Sequence, residues 1–179
     1  MKMFKRFAAA LLAGVMVLAM LTACGGNGGG GAPVAPVTRD EALEKSVAEW
    51  TVEWSKSKNL ELTEDADLTA ISAKCLPTAV KAVDARLAFP KDQNAYNDAV
   101  KKRETFFAEA KKGKTAALVP VDFPSGTEVT KDTLAHAYAA LRMDVQSNLE
   151  QAGVMNPTKF GVTVTKQKEY TLVLFVVSE

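Results

Sequence analysis

The chain has 179 residues, with 22 Lys and Arg against 21 Asp and Glu and a formal charge of +1. Such a balance provides no global basic field of the kind that draws in nucleic acid, so nucleic acid is excluded as a partner on charge. Two cysteines leave no room for an intramolecular disulfide framework once one of them is used otherwise.

Lys2, Lys5 and Arg6 form a basic start, and Phe7 to Leu21 is an uncharged run of 15 residues rich in Ala, Leu, Val and Met. The run is shorter than the about 20 residues a membrane span needs and has the layout of an export signal. Leu21-Thr22-Ala23-Cys24 closes it. These four residues resemble the lipobox of bacterial lipoprotein signals, which reads Leu, a small or polar residue, Ala or Gly, then Cys. The resemblance implies diacylglyceryl transfer to the Cys24 thiol, cleavage between Ala23 and Cys24, and display on the outer face of the bacterial cytoplasmic membrane, in the cell envelope. Two acyl chains hold durably where one binds reversibly, since each buried methylene contributes about 0.8 kcal/mol. A plain or uncleaved signal that contains a cysteine by chance is the alternative.

Residues 1–23 therefore read as signal, and 24–37 as a lipidated Cys followed by a tether. Gly25 to Val37, 13 residues rich in Gly with Pro33 and Pro36 near the end, reaches on the order of 20 Å as a flexible coil. Residues 38–179 read as a single domain large enough for a real core. Without Lys2, Lys5 and Arg6 the +1 total becomes −2 for the mature chain.

The domain opens on a capping-box pattern, Thr38 with Glu41. Leu43, Val47, Trp50 and Trp54 then share one face of a helix. The two tryptophans suit either a carbohydrate-stacking pair or core packing, and continuation of the stripe favours the core. A second helix is expected from near Thr63, its first turn holding Glu64, Asp65 and Asp67, where the helix dipole favours negative charge. A metal site there is the lesser reading. Leu68, Ile71, Cys75, Ala79, Val83 and Leu87 mark its buried stripe, with a kink or restart at Pro77. Cys75 on that stripe reads as a buried, inert thiol.

A third helix is expected over Asp92 to Lys112, with Tyr96, Val100, Phe107 and Ala110 inward and Gly113 as its stop. Lys101, Lys102, Arg103, Lys111, Lys112 and Lys114 form a basic stretch that reads as a solvated face, or as a contact to anionic lipid or wall polymer. Ala116 to Phe123 reads as a strand at a sheet edge, because Pro120 has no N–H for a ladder. Pro124-Ser125-Gly126 turns the chain. Thr130 caps a long helix whose stripe is Leu134, Tyr138, Leu141, Val145 and Leu149, stopped by Gly153.

His136, the one histidine, falls about 200° around that helix from Leu134, at 100° per residue. It stands off the stripe, facing solvent or lying behind a site, and is the single cleft candidate. With no Ser, Cys or clustered carboxylate at a telling spacing, no catalytic residue, metal ligand or cofactor site is assigned. Phe160 to Thr165 alternates like a half-buried strand, Lys166-Gln167-Lys168 turns, and Tyr170 to Val177 is nearly all apolar. A strand of that kind is covered on both faces. The expected fold is α+β, a three-layer α/β/α sandwich with a small antiparallel sheet.

This order of elements resembles the CAP, or SCP-like, extracellular domain. Leu43 to Trp54, Asn59-Leu60-Glu61-Leu62 and Asp65 to Ala73 are similar to the family's opening helix, joint and second helix. Leu141 to Gly153, then Phe160-Gly161-Val162-Thr163-Val164 and the final apolar strand, are similar to its closing elements. Phe89 to Lys114 has no counterpart. The family's cleft holds two His and two acidic residues able to bind a divalent metal. This chain has one His, at neither motif, and lacks the Gly-Glu-Asn segment and the His-Arg pair, so the resemblance implies a degenerate member without the metal site. The preferred function is a surface-displayed, non-enzymatic module binding a wall component, lipid or protein partner. An envelope hydrolase or metal-dependent cleft enzyme using His136 is one alternative. A small helical lipoprotein of unrelated fold, serving assembly or inhibition, is another.

Overall fold

The computed structural model describes residues 37–179, except Leu141 and the side chains of residues 142–145. The lipobox with Ala23 and Cys24, and the Gly-rich segment up to residue 36, lie outside the described residues, as do the stripe positions Leu141 and Val145.

Helix α1 spans Glu41–Ser57 and is capped by Asp40, whose carboxylate accepts from the Leu43 N–H at 3.0 Å. The expected Thr38–Glu41 box does not form. Thr38 instead offers its carbonyl to the Thr165 hydroxyl at 2.8 Å, and the Asp40 N–H donates to the Val164 carbonyl at 2.8 Å. Tertiary bonding has moved the cap two residues along.

Thr63–Glu64 is not the start of the second helix but a short strand, β1. Helix α2 follows over Ala66–Leu87, with the Asp65 carboxylate accepting from the Asp67 and Leu68 N–H groups at 2.9 and 3.1 Å. The acidic cluster is thus accounted for by capping and dipole. Pro77 lies inside α2, which runs through it as one helix without the expected restart. An interior proline costs a helix roughly 3 kcal/mol, and burial of Leu76, Ala79 and Val80 around it offsets that cost.

Helix α3, Gln93–Ala110, packs on α2 yet buries no residue completely. Strand β2 is Ala116–Pro124. The long helix expected after Thr130 is divided into α4, Lys131–Ala140, and α5, Arg142–Gln151. Strands β3, Lys159–Lys166, and β4, Tyr170–Ser178, form the expected hairpin.

The fold is α+β: among the described residues, five helices and a four-stranded sheet in the order β1-β3-β4-β2. The sheet is mixed rather than antiparallel throughout, because β1 pairs in parallel with β3 at Thr63–Lys159 and Glu64–Phe160. β2 lies at the edge, as Pro120 requires, and β4 is internal. An all-helical fold is not what this chain adopts.

Successive residues of β4 feed different apolar clusters. Val173 and Phe175 pack with Val47 of α1 and Leu134 of α4, whereas Leu172, Leu174 and Val176 pack with Leu68, Cys75 and Ala79 of α2. On the α2 side, the Ser72 hydroxyl donates to the Leu174 carbonyl at 2.8 Å and accepts from Thr163 at 2.7 Å. Cys75 is fully buried, and burial pushes its thiol up to about 11, which leaves it a poor nucleophile.

Thr69 Oγ1 is the one buried side-chain oxygen without a hydrogen-bond partner among the described residues. Thr69→Val keeps the shape and the β-branch while removing that desolvated hydroxyl. The variant should gain up to about 1 kcal/mol, seen as a higher urea midpoint at unchanged slope.

Candidate functional site

The α1/α4 side of the sheet is not evenly filled. Toward the turn end of the β3–β4 hairpin, Val121, Val162, Val164 and Val173 meet Val47, Ala48 and Leu134 in a packed core. At the other end lies a cavity of about 1010 Å3, at the upper limit of the roughly 300–1,000 Å3 usual for small-molecule sites. Phe160, Phe175, Val177 and Val119 of the sheet form its floor. Helix α1 contributes Thr51 and Trp54, α4 contributes Ala135 and Tyr138, and Leu149 of α5 closes over them. Helix α5 itself packs on β2.

An aromatic row crosses the floor. Trp54 meets Tyr138 at 4.7 Å between ring centroids, Tyr138 meets Phe175 at 5.8 Å, and Phe175 meets Phe160 at 6.3 Å, all tilted. Such pairs prefer tilted or offset geometry and add stability beyond their burial. Trp50 packs on the core as expected. Trp54 does not: it is half-buried against Tyr138 and forms part of the cavity wall.

The charged lining residues Lys58, Asp132 and Glu150, and His136 with them, are all exposed, so they surround the opening. His136 Nδ1 is 2.9 Å from the Asp132 carbonyl. A carbonyl only accepts, so Nδ1 carries the proton and, in the neutral ring, Nε2 presents a lone pair. Off the stripe as expected, His136 stands at the cavity's edge. It has no hydroxyl or thiol partner among the described residues, and Cys75 belongs to the cluster on the α2 side. No group of three or more His, Cys, Asp or Glu among the described residues is arranged to hold a metal.

Inside, the Tyr138 hydroxyl bonds Thr51 Oγ1 at 2.8 Å, and burial raises the phenol's pKa above its ordinary value. This pair, with Phe160 and Phe175, was not singled out from the sequence as a site. Tyr138, Phe160 and Phe175 each fit a core pattern there, and Thr51 belongs to no pattern read from the sequence. The basic stretch Lys101 to Lys114 is set apart from the cavity on α3 and the turn after it, with Lys111 lying over the Phe107 ring at 5.5 Å.

No family model and no curated protein matches this chain. Function therefore has to be argued from the site itself.

Proposed function

We propose that the chain is a membrane-anchored, surface-displayed lipoprotein whose domain is a non-enzymatic binding module for an apolar component of the cell envelope. The observation that carries the reading is the aromatic-floored cavity of about 1010 Å3, with its charged groups confined to the opening. A concave, mostly apolar site with a few polar groups is the usual form of a small-ligand site. Residues 21–24 supply the anchor in this reading. No helix among the described residues is long and apolar enough to cross a membrane; attachment is assigned to lipid on Cys24 on the lipobox resemblance of residues 21–24.

We read the domain's architecture as a three-layer α/β/α sandwich of CAP-like type. Internal β4, its apolar contacts to α1 and α4 on one hand and α2 on the other, and the closing hairpin all favour it. The alternative of a cleft enzyme has one observation on its side, the place of His136 at the opening. Hydrolysis of peptide or glycan bonds that is lost on His136→Ala would replace the binding-module reading.

Two measurements test the proposal. N-phenylnaphthylamine, a neutral apolar fluorophore, should bind saturably at one site per chain. Leu149→Asp, which puts a carboxylate into the apolar wall, should weaken it roughly tenfold or more while circular dichroism is unchanged. Binding that ignores Leu149→Asp would remove the cavity from the reading. Separately, Cys24→Ala should release the protein from membranes or leave it unprocessed. Full membrane retention of a processed Cys24→Ala chain would remove the anchor.

A further inference from the structure

Behind the opening, Thr51 and Tyr138 form a polar pair among the described apolar residues of the cavity wall, and proton counting sets its direction. Thr51, 4% exposed, has one hydroxyl proton, and its Oγ1 stands 2.7 Å from the Val47 carbonyl one turn back on α1. Tyr138 Oη stands 2.8 Å from the same Oγ1. The carbonyl only accepts, so Thr51 donates to Val47, and Tyr138 supplies the proton of the second bond. Both protons are then spent. Tyr138 Oη keeps its lone pairs, on a residue that lines the cavity. Freeing the Tyr138 proton for a ligand would require Thr51 to turn its own proton from Val47 to Tyr138, losing one internal bond.

The opening agrees with the interior. His136 spends its Nδ1 proton on the Asp132 carbonyl, and the Gln146 amide spends one on Glu150 at 2.9 Å. Among the described lining residues, Asp132 and Glu150 stand there against the ammonium of Lys58. An anionic head group entering would meet more negative than positive charge among these side chains.

Resting on the reading of the cavity as a binding site, we propose that it takes an uncharged long-chain molecule bearing a hydroxyl donor, in preference to a carboxylate or an acceptor-only ether. The hydroxyl donates to Tyr138 Oη, and the chain lies along the aromatic floor. One hydrogen bond gained without breaking another corresponds to about fivefold in affinity.

Trp54 lies against Tyr138 and is one of only two tryptophans. In a Trp50→Phe background it becomes the sole reporter. The full chain carrying that substitution, held in lipid nanodiscs, is titrated with dodecanol, dodecyl methyl ether and dodecanoate, with free concentrations corrected for partition into lipid. Dodecanol should shift Trp54 emission saturably and bind about fivefold tighter than the ether, with dodecanoate weakest. Adding Thr51→Val releases the Tyr138 proton, and the preference for dodecanol over the ether should then vanish or reverse. A purely structural role for Thr51 would lower both affinities together. Ether or dodecanoate binding as tightly as dodecanol, or a preference that survives Thr51→Val, overturns the donor rule and leaves the cavity a binding site. No saturable response to any of the three overturns both.

Discussion

Gly161→Ala should be the most damaging of the glycine-to-alanine changes among the described residues. A Cβ built on Gly161 collides with the Thr69 backbone nitrogen and the Leu68 carbonyl carbon, and lies 2.7 Å from the Leu68 oxygen. These are backbone atoms, which have no rotamer to escape into. The first turn of α2 is pressed onto β3 because both sides are tied there: the Asp65 N–H donates to the Phe160 carbonyl at 2.7 Å, and the Thr63 N–H to the Thr158 carbonyl at 2.9 Å. Relief would lift the helix and open the packing of Leu68 and Ile71, both buried. A loss of about 3 kcal/mol or more is expected. Gly126→Ala is the control. Its φ of +87° strains any side chain, but nothing lies within 4 Å of the added carbon, so about 1 kcal/mol is expected there. Urea midpoints of the two variants that fall together would mean that α2 and β3 do not approach so closely.

Gly161 also shows how much of this architecture can be read from sequence, and where reading stops. Alternation and apolar runs located β3, β4 and the edge strand with Pro120, because a period of two depends only on neighbouring residues. Strand β1 left no such trace. Two residues cannot display a period, and Thr63 and Glu64 are strand only because Lys159 and Phe160 pair with them. Thr38 fitted a cap locally and was overruled by bonds to residues more than a hundred positions away. The candidate site was hidden for a different reason. Tyr138 and Leu149 sit on a stripe that faces inward, and periodicity reports facing inward without reporting whether the interior is full. Phe160 and Phe175 alternate correctly for a buried sheet, yet they floor a cavity. His136 gives a signal, as a polar residue off the stripe, and Trp54 gives another, as half of a pair suited to stacking.

Glu44→Ala should cost about 3–4 kcal/mol, although residue 44 is on a surface helix and reads as an ordinary first-turn acid. Its side chain is 8% exposed and is fully bonded. Arg39 grips it through Nε at 2.9 Å and a terminal nitrogen at 2.5 Å, and the Val164 N–H donates to Oε1 at 2.9 Å. The context explains the arrangement. β1 covers β3 only at Lys159 and Phe160, so the rest of that edge needs other partners. Residues 38–40 lie along it: the Asp40 N–H bonds the Val164 carbonyl, and the Thr38 carbonyl takes the Thr165 hydroxyl. Glu44 completes the edge from the helix side by satisfying Val164 N–H and holding Arg39 over it. Truncation leaves a buried N–H and a guanidinium both without partners, and each carries its own desolvation cost. Glu44→Gln keeps an acceptor for Val164 but turns amide hydrogens toward Arg39, so it should fall between the two. Arg39→Ala in the Glu44→Ala background should cost much less than in the parent, a coupling of about 2 kcal/mol in a double-mutant cycle. Additive losses would show that the two side chains act independently, and the edge of β3 would then be held by the 38–40 backbone alone.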